Sequence, residues 1–309
     1  MVVDNKSYFS NGKLLLSGEY AVLDGATAFA IPVNLGQSLN TKKTINPNIL
    51  KWEALIKNKL WFSAEFNIKD LKIIKTNNNL IAERLKKIIL AALKLNPNFK
   101  DKLNSHIITN LEFNRDWGLG SSSTLISNIA YWANINPFIL FSSIFNGSGY
   151  DIAAARISKP FLYTSTKNNT PIIKEICFEN NFLDSIYFVH LGNKQDSNDS
   201  INLYKKNAKI SSSEISEISD ISKQFSICKS LDNFQILMYK HEKIISKIIK
   251  KTSIKEKYFS DFEGDIKSLG AWGGDFIMLA SKNKSDYVKS YFSNKNLNTI
   301  FKYNELVIN

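Results

Sequence analysis

The sequence predicts a mixed fold of strands and helices, built as one large domain or two closely packed ones. Three observations carry this expectation. The chain has 309 residues, which is long for a single hydrophobic core. It is 44% apolar and 12% aromatic, enough for a packed interior. Short apolar runs bounded by Gly, Asp and Pro, the mark of strands, alternate with longer segments at helical spacing.

Taken in order, KLLLSGEYAVLDGATAFAIPVNLG (13–36) reads as a strand, a turn at Asp24-Gly25 and a second strand ending at Pro32, a hairpin-like opening. A polar Asn/Lys stretch follows. Residues 78–95 place apolar side chains at helical spacing and stop at Asn96-Pro97, so a helix is predicted there. HIITNLEF (106–113) alternates like a strand, and Ser121–Ala133 reads as a helix whose first turn is a serine run. From Trp117 through Tyr150 there is no Asp, Glu, Lys, Arg or His, so these helices lack a charged solvated face and are expected at the centre of the molecule. That stretch ends at Asp151, inside NGSGYDIAAARISKP. Beyond Pro160 the texture turns polar. A strand is predicted over 183–192, helices over most of 197–252, a glycine-rich turn leading into a strand within 265–280, a helix near 284–293 and a terminal strand near 298–308. The two domains are expected as 1–165 and 166–309.

The composition excludes several classes. Cys177 and Cys228 are the two cysteines and have no metal-ligand or CxxC spacing, so two reduced thiols are expected. No basic segment followed by an apolar run opens the sequence, and no stretch reaches the roughly 18 apolar residues of a membrane helix; a cytoplasmic protein without membrane contact is expected. The formal net charge of +12 invites a nucleic-acid reading, but the lysines are scattered singly or in pairs among Asn, Ile and Ser. Solvated surface, not a nucleic-acid face, is the expectation. The three arginines are Arg84, Arg115 and Arg156, and the last two flank the motifs that matter.

The chemistry concentrates at DWGLGSSST (116–124). A strand ending in glycines and passing into a helix start leaves backbone N–H groups pointing outward, backed by the positive end of the helix dipole. Glycine lets an anion approach the backbone closely, and serine hydroxyls add donors to phosphate and ligands for Mg²⁺. On a purely structural reading Ser121 or Ser122 only caps the helix. The spacing excludes GxxxxGK[ST], the three-glycine dinucleotide fingerprint and the GxSxG elbow. What remains is a different nucleotide-phosphate loop.

The chain resembles the GHMP kinases, the superfamily of galactokinase, homoserine kinase, mevalonate kinase and phosphomevalonate kinase. GKLLLSGEYAVLDGATAFAIPV (12–33) is similar to its amino-terminal motif, WGLGSSSTL (117–125) to its phosphate loop, KSLGAWGGDFIML (267–279) to its carboxy-terminal glycine motif, and GSGYDIAAA (147–155) to the segment with the catalytic aspartate. The resemblance implies an α+β protein: a ribosomal-protein-like amino-terminal domain and a ferredoxin-like carboxy-terminal domain, with ATP between them. It implies transfer of the γ-phosphoryl group from Mg-ATP to a small metabolite. Trp117, Gly118, Leu119, Gly120, Ser121, Ser122, Ser123 and Thr124 would hold the nucleotide, with Ser122 on the metal. Asp151 would take the acceptor's proton, and Lys13 would stabilise the deprotonated oxygen. Glu19, Tyr20, Gly149, Arg156, Gly270, Ala271, Gly273 and Gly274 would complete the substrate surroundings. Without the resemblance, Asp151 reads as a helix cap or Asx turn and Lys13 as a surface charge.

Four departures accompany these matches. The place where many members carry a metal-holding Glu falls at Leu140, leaving Ser122, the ATP oxygens and Asp151 or Glu19 for Mg²⁺. Tyr20 stands where mevalonate kinases often have His, Asn114 replaces a usual proline, and Trp272 interrupts a small-residue run, where its ring would narrow the substrate or phosphate space. The motifs look closest to the mevalonate and phosphomevalonate branch. Arg115, Arg156 and Lys194 are the cations expected to meet an anionic acceptor, and a monomer or homodimer is expected. Two other readings stay open: a nucleotide-binding relative with little or no catalysis, and an ATP-dependent decarboxylase of the same superfamily.

Overall fold

A computed structural model describes residues 5–44, 46, 48–166, 170–192, 197–207, 209–272 and 275–308. The chain forms two compact units that are not contiguous in sequence. The first gathers Met1–Gly12, Leu35–Arg115 and Leu119–Arg156, and the second Lys13–Asn34, Asp116–Gly118 and Ile157–Asn309.

Two long strands, β1 (Ser7–Ser17) and β2 (Ala28–Lys43), pair with each other and pass through both units. Pro32 does not end β2, which runs on to Lys43. A proline lacks only the donor of one ladder bond, and its carbonyl here accepts from the N–H of Ile308. In the first unit, β3 (Ile49–Ile56), β4 (Lys59–Asn67), β5 (Ile73–Thr76) and β6 (Ser105–Leu111) extend the sheet in the order β5-β4-β3-β6-β2. β3 and β6 are parallel and the other pairs antiparallel. The β3–β4 hairpin turns on Lys57 and Asn58, both at positive φ, the geometry that suits the twist of a two-residue hairpin. One sheet face, with Leu50, Trp52, Ala54, Phe62, Ala64, Phe66 and Ile107, is buried.

Helices cover that face. In α1 (Asn79–Leu95) the side chain of Asn78 caps the start, accepting from the N–H of Ile81, and Ala82, Leu85, Ile88, Ile89 and Ala92 point into the core. Nine of the thirteen residues of α2 (Ser121–Ala133) are buried, as its lack of charge requires. Its polar side chains are matched inside: Asn128 accepts from Ser10 Oγ at 2.7 Å and donates to the Gln37 carbonyl at 2.8 Å. Two short helices, α3 (Pro137–Ser142) and α4 (Tyr150–Ala154), follow, and Leu140 and Ile152 join the same core.

In the second unit, β7 (Phe161–Thr164) pairs with β2 and with β8 (Ile172–Glu175). Beyond them β9 (Ile186–His190) leads into α5 (Ser197–Asn207), α6 (Ser212–Ile227), α7 (Leu231–Ile249) and α8 (Ile254–Tyr258). Then come β10 (Asp265–Ser268), β11 (Phe276–Ala280), α9 (Ser285–Ser293), β12 (Ile300–Lys302) and α10 (Tyr303–Leu306). The expected terminal strand is thus only three residues long before a helical turn. The four strands β10-β11-β9-β12 form an antiparallel sheet. With helices in the β9–β10 and β11–β12 connections, this is the ferredoxin-like plan. No helix among the described residues is long and apolar enough to cross a membrane.

Candidate active site

The glycine-serine loop is built from both of its flanks, and each belongs to its own unit. Residues 116–118 pack within the second unit. The Trp117 ring lies 6.0 Å from the His190 ring, 6.0 Å from Phe276 and 5.6 Å from Phe301, centroid to centroid. His190 Nδ1 accepts from the N–H of Gly192 (3.2 Å), which places its proton on Nε2, 3.2 Å from the Asp116 carbonyl; the second contact is therefore a donated bond. Lys13, buried on β1, donates from Nζ to the Gly118 carbonyl at 2.9 Å. Lys13 is therefore no surface charge: its ammonium is fixed on the loop.

Gly118 has φ +66°, and a Cβ built there would lie 2.2 Å from Oδ2 and 2.4 Å from Cγ of Asp275. Both backbone and space thus demand glycine. Gly118→Ala is expected to lower the stability of the chain by at least the ~1–2 kcal/mol of a left-handed alanine, read as a lower urea midpoint. An unchanged midpoint would show that the loop does not hold this conformation.

The rest of the loop belongs to the first unit. Leu119 is fully buried and anchors it. Gly120 takes φ +91° as the residue before α2, and no side chain caps that helix. Ser123 Oγ donates to the Gly120 carbonyl at 2.8 Å and Thr124 Oγ1 to Gln37 Oε1 at 2.8 Å, so these two hydroxyls hold the turn together. Ser122 is exposed and Ser121 half-buried. A helix start led by glycine with its first N–H groups left uncapped by side chains is a ready anion site. In the same unit Asp151 is the second residue of α4, after Gly149 at φ +84°. Ile152 beside it is seated in the core, which fixes the aspartate's backbone.

Other predicted residues have different surroundings. Glu19 is fully buried and ion-paired with Lys267, also fully buried. Beside them His241 Nε2 accepts from the N–H of Gly18 at 2.9 Å, and burial holds this imidazole well below the ordinary histidine range. Glu242 Oε1 accepts from the N–H of Ser268 at 3.0 Å, and burial pushes its carboxyl up to about 8. Tyr20, at φ +59°, donates from its hydroxyl to the Ala271 carbonyl at 2.8 Å and stacks on Tyr204 at 5.0 Å. It thereby ties the first motif to the third, where Gly270 has φ +64°. Trp272 is 4% exposed, and its ring packs in an apolar cluster with Tyr20, Tyr204, Ile218, Ile245 and Ile248. The ring anchors the glycine turn to the helical layer of its unit. Gly273, Gly274 and Lys194 lie outside the described residues.

Arg156 is held within the first unit. Its guanidinium sits 3.1 Å from the Tyr131 ring centroid and donates to the Ser127 carbonyl at 2.5 Å, and burial lowers its pKa to about 10. Arg115 stacks on Trp61 at 4.1 Å. Leu140 is wholly buried in the core. Asp275, which the motif matches did not single out, sets its carboxyl group against Gly118. Its signal was present: an acid directly after the glycines of GAWGGDF.

No protein-family model matches the chain, and no curated protein matches it by sequence. Solved structures do. The Methanococcus jannaschii mevalonate kinase is 19% identical, with a TM-score of 0.68 over 97% of this chain and 98% of that one. A Streptococcus pneumoniae phosphomevalonate kinase, solved with phosphomevalonate and AMPPNP, is 15% identical, with a TM-score of 0.71 over 96% and 99%. The chain has the GHMP kinase fold. The superfamily's breadth shows in a Lactococcus lactis galactokinase, solved with galactose, at 13% identity and a TM-score of 0.65 over 99% and 94%. A GHMP-fold chain at such identities shares architecture with enzymes that act on unlike acceptors.

Proposed function

We propose that the protein is an ATP-dependent small-molecule kinase that passes the γ-phosphoryl group to a hydroxyl or phosphate of a small anionic metabolite of the mevalonate or phosphomevalonate type. The observation that carries this reading is the loop itself: Lys13 is bonded to the Gly118 carbonyl, and the helix start after Gly120 has no side-chain cap. Uncapped N–H groups at a helix start led by glycine select for an anion.

Phosphoryl transfer asks little covalent chemistry of a protein; positioning and charge neutralisation supply most of the acceleration. The N–H groups of Gly120, Ser121, Ser122 and Ser123 bind phosphate oxygens, and Leu119 and Trp117 hold the loop in shape. Asp151 accepts the acceptor's proton. Lys13 stabilises the deprotonated oxygen and the charge that develops on transfer. The exposed Ser122 hydroxyl suits a metal ligand, whereas Glu19 is spent on Lys267. Bound Mg²⁺ would neutralise charge on the phosphates.

The test is release of ADP from Mg-ATP across a panel of mevalonate, phosphomevalonate, other small alcohols and sugars. Turnover with an anionic acceptor is the expected result, and none with any acceptor would sink the reading. Leu140 supports a second reading, a nucleotide binder without turnover, because a buried leucine supplies no charge for a metal. Binding of an ATP analogue without ADP release in the same panel would favour it.

A further inference from the structure

We propose that His190 is a positioning residue for phosphoryl transfer: it fixes the loop segment whose carbonyl anchors Lys13, and through that segment it aims the Lys13 ammonium. The inference rests on the kinase reading and adds a residue that the reading does not contain. Every contact it uses lies within the second unit. His190 closes β9 and is buried, and its main-chain N–H donates to the Thr299 carbonyl at 3.0 Å. The next N–H, that of Leu191, goes to the Asp275 carbonyl at 2.9 Å. The backbone under the imidazole is therefore held from the sides of both β12 and β11.

The ring is oriented as firmly as its backbone. Nδ1 takes the N–H of Gly192, which leaves the Nε2 proton for the Asp116 carbonyl. Phe276 stands edge-on to the imidazole at 5.2 Å, and these two rings with Phe301 form the socket that receives Trp117. The phenylalanines grip the indole by packing, whereas His190 also bonds the main chain. A packed ring can slide in its socket, but a bond to the carbonyl beside it sets how the segment is turned. Two residues on, the Gly118 carbonyl receives Lys13 Nζ at 2.9 Å. Its direction follows the backbone that His190 holds. Lysine carries its charge on a flexible four-carbon stem, so the acceptor end decides where the ammonium stands. Charge acts most strongly on a transferring group when it is placed in advance.

The experiment compares the full chain with His190→Phe, Lys13→Met and the double variant. It measures ADP release from Mg-ATP with the acceptor found in the panel above, and hydrogen–deuterium exchange over residues 116–118. In His190→Phe kcat is expected to fall roughly tenfold or more, toward the ~10²-fold that about an ångström of misplacement costs. KM for Mg-ATP holds, because the helix start after Gly120 keeps its own contacts in the first unit. Exchange over 116–118 quickens. His190→Gln, whose amide can still donate to the Asp116 carbonyl, retains most of the turnover. On the Lys13→Met background the change to phenylalanine costs nothing further, since residues that act as a unit are not additive. His190→Met replaces His190→Phe should thermal unfolding show a misfolded chain. An undiminished kcat or unchanged exchange overturns the proposal and leaves the kinase reading intact. So does an equal loss on both backgrounds, which marks a role independent of Lys13. No ADP release from the unaltered chain with any acceptor removes the kinase reading and the Lys13 step with it, and the exchange measurement then decides by itself whether His190 holds the loop.

Discussion

Lys267→Met is expected to cost ~3–5 kcal/mol of stability, the usual effect of removing one partner from a buried ion pair. Lys267 and Glu19 are both fully buried, so methionine would leave a carboxylate with no water to solvate it. A domain has only about 5–15 kcal/mol in hand, which puts this single change near the folding limit. The double variant Lys267→Met with Glu19→Gln should recover much of the loss, since the orphaned charge is then gone. The pH dependence has a definite sign. Burial raises the folded-state carboxyl of Glu242 from 4.5 to about 8, and the charge of Lys267 is what opposes that rise. A carboxyl with a raised folded value binds more protons folded than unfolded, so its effect on stability worsens as pH climbs through that window and levels off above about 8. Without Lys267 the window widens upward, and the deficit should grow with pH. Urea unfolding followed by tryptophan fluorescence at several pH values reads all of this. Equal midpoints for Lys267→Met and the unaltered chain would show that the pair contributes nothing.

The same cluster shows where sequence reasoning stopped. Glu19 and Lys267 are 248 residues apart, and no local pattern says that a lysine flanked by Ile266 and Ser268 turns inward, since lysines are almost never fully buried unless paired. Helices α1 and α2 were legible because their boundaries carry local chemistry, Asn78 and Asn96-Pro97 for one and Gly120 for the other. Strands β3, β4 and β5 were hidden in what reads as a polar stretch. β3 and β4 bury only one face and their hairpin turns on Lys57 and Asn58 without a glycine, while β5 has no fully buried residue. The loop's capacity for an anion could be read from its glycines. That Ser123 and Thr124 spend their hydroxyls on Gly120 and Gln37 could not, because the partner of a hydroxyl is a property of the fold. Arg156 makes the same point. Its place after the aspartate segment suggested a substrate contact, while the folded chain stacks it on Tyr131, a residue of α2.

Asp151→Asn is expected to lower acceptor-dependent ADP release by ~10²–10⁴-fold, the range that a positioned general base contributes, with binding of AMPPNP unchanged. The argument begins with the backbone. Gly149 at φ +84° starts α4, and Ile152 in the core fixes the helix on which Asp151 is carried. Asparagine keeps the shape and the helical position but cannot take a proton, so the loss should fall on kcat while KM for both substrates holds. That pattern separates a base from a metal ligand, whose removal would weaken binding of Mg-nucleotide as well. It also separates both from a helix-start residue that serves structure alone, for which Asp151→Asn would shift thermal unfolding and leave turnover of the folded fraction intact. Full turnover in a folded Asp151→Asn chain would mean that the acceptor's proton leaves by another route, and it would return the aspartate to the role of a helix-start residue.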